Sequence, residues 1–97
     1  WINNNSMYSP FKKLHDHFTP DIFELHRRAN EHAQRSEWVE ETLVRCEIWK
    51  RDKKDPVALY QLGESYNILE DIDTAERCFH LSMKLGYPQE NHDNMYG

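Results

Sequence analysis

At 97 residues the chain is long enough for one small domain, and its formal net charge of -5 argues against a general nucleic-acid binder, which needs a basic surface. Charged residues make up 30% of the sequence, whereas glycine, proline and β-branched residues are sparse, which favours exposed helices over strands or a compact enzyme. No apolar run approaches the ~20 residues that span a bilayer, and no signal peptide is recognisable. We therefore expect an all-helical, cytoplasmic protein that binds neither nucleic acid nor a membrane.

The first predicted element is a short helix over residues 10–17, within a lead-in that covers residues 1–18. Ser9 and Pro10 form a typical start signal, because serine caps a helix and proline fits its first position. The apolar residues that follow at helical spacing are Phe11, Leu14 and Phe18. Their common face needs a partner, for which we expect the next helix pair or a preceding domain.

A pair of longer helices is predicted over residues 20–53, at the start of a helical domain that covers residues 19–97. The first helix follows the start signal Thr19-Pro20-Asp21 and runs to about Arg35. The second helix is expected to be capped by Ser36 and to run to about Lys53. Its predicted apolar face consists of Trp38, Val39, Thr42, Leu43, Cys46 and Trp49.

The segment from Asp55 to Pro88 carries the clearest pattern of the chain, and it begins with the cap-plus-proline signal Asp55-Pro56. Gly63 lies inside its first helix, although glycine there costs about 1 kcal/mol relative to alanine, so we expect it to allow a second helix to approach closely. Asp71 or Asp73 is expected to cap that second helix, which ends at Gly86. The predicted core residues of the segment are Leu59, Leu62, Gly63, Tyr66, Ala75 and Phe79.

Residues 55–88 resemble one unit of the tetratricopeptide repeat (TPR) family, in which a large residue, Leu-Gly, an aromatic, Ala, Phe and Pro recur at this spacing. Leu59 stands in the slot that Trp usually holds. Residues 20–53 resemble a degenerate unit, with Leu25 and Ala29 in the slots of Leu59 and Gly63. Arg28 and His32 stand where the clear unit has Leu62 and Tyr66. On the second helix, the Ala, Phe and Ala slots of a unit would be filled by Thr42, Cys46 and Trp49 only if the turn between the helices were one residue longer.

The resemblance implies an all-α fold of antiparallel helix hairpins stacked as a short TPR-like α-solenoid, with residues 89–97 as the start of a further unit or a tail. It also implies a peptide-binding groove lined by the first helix of each unit. The outward positions of this groove are expected to be Phe23, His26, Asn30, Val57, Tyr60, Glu64 and Asn67, together with Ala33 and Ile68. The same residues could instead form solvated helix faces or pack on a neighbouring helix. Glu64 would repel a terminal carboxylate, which argues against the carboxylate clamp of chaperone-binding TPR proteins.

The sequence offers little that could carry chemistry. None of its six histidines has an i, i+4 histidine partner, and no Gly-rich phosphate loop is present, so we expect no metal, no cofactor and no catalytic residues. Cys46 and Cys78 are expected to be buried free thiols in a reducing compartment. The pairs Glu41–Arg45 and Glu47–Arg51 have the spacing of ordinary exposed ion pairs.

The leading functional hypothesis is a non-catalytic interaction module that binds a peptide or a partner subunit. The alternative is a non-catalytic appendage of a larger enzyme, used for dimerisation or docking, because the segment from Val39 to Glu90 also resembles the TPR tails of some bacterial family-2 glycosyltransferases. Self-association without a small ligand is a third hypothesis.

Overall fold

A computed structural model of the protein describes residues 21–96, and its side chains through Asp93. Every regular element in this range is a helix, so the prediction of an all-helical chain is confirmed there. The predicted helix over 10–17 lies outside the described residues. The five helices are α1 (Ile22–Gln34), α2 (Trp38–Arg51), α3 (Pro56–Ile68), α4 (Ile72–Lys84) and α5 (Gln89–Tyr96).

Neighbouring helices pack against each other in chain order, with α1 on α2, α2 on α3 and α3 on α4. The connections at 35–37 and 69–71 are short, and such a connection between two helices in side-by-side contact reverses the chain. Helices α1 and α2 therefore form one antiparallel hairpin, helices α3 and α4 form a second, and the contact between α2 and α3 joins them.

Aspartate side chains cap three of these helices. Asp21 accepts a hydrogen bond from the backbone N–H of Glu24 at 2.8 Å and so caps α1, whereas Thr19 and Pro20 of the predicted start signal lie outside the described residues. Asp55 caps α3 with Pro56 at its first position, as predicted. Asp71, one of the two predicted candidates, caps α4.

The turn between α1 and α2 differs from the prediction, because Ser36 does not cap α2. Ser36 has a φ of 59°, in the left-handed region, and Glu37 occupies the cap position, where its side chain makes no hydrogen bond to the first turn of α2. The N–H of Ser36 bonds to Ala33 O at 3.0 Å, and that of Glu37 bonds to His32 O at 2.8 Å. These two bonds define a Schellman motif that ends α1, with serine where glycine is usual.

The turn between α3 and α4 has the same geometry. Glu70 has a φ of 65°, its N–H bonds to Asn67 O at 3.0 Å, and the N–H of Asp71 bonds to Tyr66 O at 3.0 Å. Ser36 and Glu70 lie 34 residues apart, and the two connections are equally long. The longer turn that Thr42, Cys46 and Trp49 would need in order to fill the Ala, Phe and Ala slots is therefore not present, and the two hairpins correspond position by position.

This correspondence changes which side of α2 is buried. The α4 residues Ala75, Phe79 and Ser82 are buried, and their counterparts in α2 are Glu41, Arg45 and Ile48, which are also buried. Of the residues expected on the apolar face of α2, Thr42 is buried and Cys46 and Trp49 are half-buried, but Val39 and Leu43 are 57% and 63% exposed. The helix is thus rotated relative to its predicted orientation, because the turn is one residue shorter than the apolar pattern requires.

Three apolar clusters follow the order of the helices. The first joins both hairpins, because Ala58 of α3 packs with residues of α1 and α2. The other two lie between α3 and α4 and share the half-buried Tyr66 at their edges. The buried members are Leu25, Ala29, Ile48 and Ala58 in the first cluster, Leu59, Leu62 and Cys78 in the second, and Tyr60, Ala75 and Phe79 in the third.

Gly63 is the point of closest approach between α3 and α4. A Cβ atom at this position would lie 2.8 Å from Cε1 of Phe79 and 3.0 Å from Cβ of Cys78. Carbon atoms do not approach so closely without displacing a neighbour. The prediction that Gly63 serves a close helix contact is confirmed.

Helix α5 is attached to the second hairpin through Tyr60. The phenol of Tyr60 forms a hydrogen bond with Nδ1 of His92 at 2.8 Å, and its ring stacks on Tyr87 with centroids 3.9 Å apart. The chain between α4 and α5 leaves α4 through Gly86, which has a φ of 114° and follows the last helical turn as predicted.

Gly63→Leu is expected to lower the free energy of unfolding by about 1–3 kcal/mol or more, because the new side chain forces α3 and α4 apart. Thermal and urea unfolding measure this change. Glu76→Leu introduces the same residue on the exposed face of α4 and serves as the control. Equal stability of the two variants would contradict the close-approach interpretation.

Ser36→Gly is expected to raise the free energy of unfolding by about 1 kcal/mol, since glycine adopts a positive φ without the steric penalty of a side chain. Gln34→Gly, two residues earlier inside α1, is expected to lower it by about 1 kcal/mol. The opposite signs, measured by urea unfolding, test the turn geometry. A decrease on both substitutions would show that Ser36 is not held in the left-handed conformation.

Candidate partner-binding cleft

A cleft of about 270 Å³ lies between α2 and α3. Drug-sized ligands usually occupy pockets of about 300–1,000 Å³, so this cleft has room for one side chain of a partner. Five of its residues come from α3, and two come from α2. The lining residues are Glu41, Arg45, Gln61, Glu64, Ser65, Asn67 and Ile68.

The wall contributed by α2 is a buried ion pair. Nε of Arg45 lies 3.5 Å from Oε2 of Glu41, and each side chain is only 10% exposed. The prediction that this pair is exposed is wrong, because the turn geometry places both residues at the positions that Ala75 and Phe79 occupy in the second hairpin. Glu47, in contrast, lies on the exposed face of α2 and pairs with Lys50 at 3.6 Å.

Arg45 connects three helices. Its Nη1 donates a hydrogen bond to Oε1 of Gln61 in α3, and its Nη2 donates one to Oδ1 of Asn30 in α1, both at 3.3 Å. Together with Glu41 on its own helix, these partners hold the guanidinium group in a fixed orientation. Arg45 is therefore a structural element of the cleft wall.

The carboxylate of Glu41 has a partner for only one of its two oxygens. Its Oε1 is buried and has no hydrogen-bond partner among the residues that the structure describes, a property that it shares only with Nε1 of Trp49. Leaving a buried polar atom unpaired costs about 1–3 kcal/mol, and more for a charged group. Because this oxygen is enclosed by the protein, its missing hydrogen bond is a cost to the stability of the fold.

The predicted groove residues fall into three groups. Glu64, Asn67 and Ile68 line the cleft, and the exposed Asn30 is connected to it through Arg45. Phe23 and Val57 are 79% and 50% exposed but do not line the cleft, and neither do the half-buried His26 and Ala33. Tyr60, the last of the set, is buried.

The prediction that Tyr60 faces outward is wrong. Its side chain is only 2% exposed, because Tyr87 and His92 cover the ring and Phe79 packs beside it at 4.7 Å between centroids. Tyr60 instead packs on a neighbouring element, which was one of the alternatives to a groove position. Its cover comes from residues that follow α4, which no pattern within α3 could reveal.

Sequence reasoning missed four residues of the cleft as site residues, namely Glu41, Arg45, Gln61 and Ser65. The signal for two of them was present. Counting back 34 residues, the TPR period, from Ala75 and Phe79 leads directly to Glu41 and Arg45. The apolar pattern of α2 favoured a different alignment and hid this signal.

Neither thiol lines the cleft, and both lie at the second apolar cluster, Cys46 from α2 and Cys78 from α4. Sγ of Cys46 lies 3.8 Å from the phenol oxygen of Tyr66, and this hydrogen bond, followed by burial, raises the pKa of Tyr66. Burial raises the pKa of the Cys78 thiol, which makes Cys78 a poor nucleophile at neutral pH. Both cysteines are free, and Cys46 is half-buried whereas Cys78 is buried.

Comparison with known proteins gives no relative, since no family model, no curated protein and no solved structure matches the chain. Within the described part of the chain, no group of three or more His, Cys, Asp and Glu side chains is arranged to hold a metal ion. None of the helices in that part is long and apolar enough to cross a membrane.

Arg45→Met is expected to lower the free energy of unfolding by about 3–5 kcal/mol, because it leaves the buried carboxylate of Glu41 without its cation. Lys50→Met removes a cation from an exposed pair on the same helix and is expected to cost less than about 1 kcal/mol. Urea unfolding of both variants measures the difference. Equal effects would show that the pair between Glu41 and Arg45 is solvated.

Proposed function

We propose that the protein is a non-catalytic interaction module of the TPR type, which binds a peptide or a partner subunit at the cleft between α2 and α3. The support for a TPR-like stack is the repeated turn, since Ser36 and Glu70 have the same left-handed conformation one TPR period apart. The contact of α2 with α3 and the cluster around Ala58 are consistent with stacked hairpins.

The observation that carries the binding proposal is the cleft between α2 and α3. Its volume of about 270 Å³ matches one side chain, and hydrogen bonds to Gln61 and Asn30 hold Arg45 in a fixed orientation in its wall. A concave site with a few oriented polar groups beside apolar surface is the usual form of a binding site.

The edge of the cleft offers apolar contact as well. Ile68 lines the cleft and is 48% exposed, next to the polar Asn67 and Glu64. An apolar contact beside a few oriented polar groups is the usual composition of a peptide-binding surface. We therefore expect a partner segment that places one polar side chain in the cleft and an apolar residue against Ile68.

The second candidate is an appendage that mediates dimerisation, as in the enzyme tails that the sequence resembles. Val39 and Leu43 favour it, because they lie one turn apart on α2 and both are more than half exposed. Adjacent exposed aliphatic residues often mark a surface that another protein covers. This candidate places the partner on the outer face of α2 and leaves the cleft free.

Selection from a phage-displayed library of random peptides tests the first candidate. We expect a family of related peptides whose affinity falls at least roughly tenfold on Ile68→Asp, since the substitution removes an apolar contact at the cleft edge. Leu81→Asp changes a similarly exposed aliphatic residue of α4, outside the cleft, and is expected to leave binding unchanged. The absence of a peptide family, or equal effects of both substitutions, would contradict the proposal.

Sedimentation equilibrium tests the second candidate. If α2 mediates dimerisation, the unmodified protein is a dimer and Leu43→Asp is a monomer. A monomeric unmodified protein would exclude this candidate.

A further inference from the structure

We propose that the cleft between α2 and α3 accepts one neutral carboxamide side chain of the partner, an asparagine or a glutamine, which pairs with the carboxamides of Gln61 and Asn67. This inference rests on the proposed function and specifies the chemistry of the bound segment. It depends on which polar groups of the cleft are open, on whether a ligand can reach them, and on the charge of the lining residues.

Gln61 presents a hydrogen-bond donor to the cleft. Nη1 of Arg45 donates to its Oε1 at 3.3 Å, and Nε2 makes no hydrogen bond with the residues that the structure describes. Because arginine can only donate, this contact fixes which atom of the carboxamide is the oxygen and leaves the N–H groups open. A hydrogen bond to the oxygen also polarises the amide, which makes these N–H groups better donors.

Asn67 presents both a donor and an acceptor. Its side chain lines the cleft and makes no hydrogen bond within the described part of the chain. A carboxamide with both ends open is best matched by a second carboxamide, because each then supplies one N–H and one oxygen. A hydroxyl group carries only one N–H or O–H equivalent on a single atom, so it cannot bond two separated groups in this way.

A ligand can reach both carboxamides. Among the described residues, the enclosed side-chain atoms without a partner are Oε1 of Glu41 and Nε1 of Trp49. The open atoms of Gln61 and Asn67 do not belong to this set, and both residues are half-buried. Their open atoms therefore lie at the surface of the cleft, where water or a ligand completes their hydrogen bonds.

The spacing of the two groups suits a single ligand carboxamide. Residues six positions apart on a helix are separated by about 9 Å along its axis. A carboxamide with one hydrogen bond at each end spans about 8 Å. Its oxygen then accepts from Gln61, its N–H donates to Asn67, and the methylene groups behind it lie against the half-exposed Ile68.

The charge of the lining residues favours a neutral ligand over an ion. Glu41 pairs with Arg45, and Glu64 also has a partner, so an ionic ligand finds no unpaired opposite charge among these residues. Moving an ion out of water without such a partner is costly, whereas a neutral amide exchanges its hydrogen bonds to water for hydrogen bonds to the cleft.

Titration with butyramide, which mimics the end of a glutamine side chain, tests the inference on the whole chain. In ¹H–¹⁵N NMR spectra we expect saturable shifts of the side-chain NH₂ signals of Gln61 and Asn67. Butyrate and n-butylammonium are charged compounds of similar length and are expected to produce no saturable shifts at these signals. The absence of saturable shifts with butyramide, or equal affinity for a charged compound, would overturn the inference.

Two asparagine variants test the assigned contact. Asn67→Ala is expected to weaken butyramide binding roughly fivefold, because a neutral hydrogen-bonding group is lost. Asn91→Ala removes the same group from an exposed position of α5, outside the cleft, and is expected to leave the affinity unchanged. The NH₂ signals of Gln61 report binding in both variants. Equal affinities of the two variants would overturn the inference.

The peptide selection separates this inference from the proposed function. Selected peptides with an asparagine or glutamine at one fixed position, displaced by butyramide, support both. Selected peptides without such a position overturn the carboxamide ligand and leave the interaction module standing. Butyramide binding at the cleft without any selected peptide would overturn the interaction module and leave the carboxamide site.

Discussion

Each hairpin depends on a three-residue turn in which one residue takes a left-handed backbone conformation. Ser36 and Glu70 occupy these positions, and the backbone hydrogen bonds around them end the preceding helices in the same way. Because the turn fixes where the next helix begins, it also fixes which face of that helix points inward. The rotation of α2, and with it the composition of the cleft wall, follows from this backbone geometry.

The two hairpins use their equivalent inner positions differently. In the second hairpin, Ala75 and Phe79 fill the space behind Gly63 with close apolar contacts. In the first, Glu41 and Arg45 fill the same positions with a buried ion pair, which is seldom more stabilising than apolar residues of similar volume. A pair that adds little stability, at the wall of a cleft, is consistent with the binding function that we propose.

Local rules of sequence were sufficient for much of the fold. Helix α3 starts at Asp55-Pro56, α3 and α4 approach each other closely at Gly63, and α4 ends at Gly86. Each of these features depends on one residue type with a distinct backbone or packing property. The cleft could not be predicted in this way. Charged residues at i, i+4 spacing are usually exposed. To predict that Glu41 and Arg45 are buried, the length of the preceding turn must be known, and Ser36 forms that turn without the glycine that would have marked it in the sequence.

The equivalence of the two turns also bears on how such a chain can change over evolutionary time. A turn held by main-chain bonds tolerates serine or glutamate at its centre, so the register of a hairpin survives extensive replacement of the side chains that follow it. One hairpin can then keep a tightly packed apolar interior that stabilises the fold, while the other hairpin accumulates polar residues that suit a new specificity. Phe79 and Arg45, which are buried at equivalent positions of the two hairpins, differ in this way.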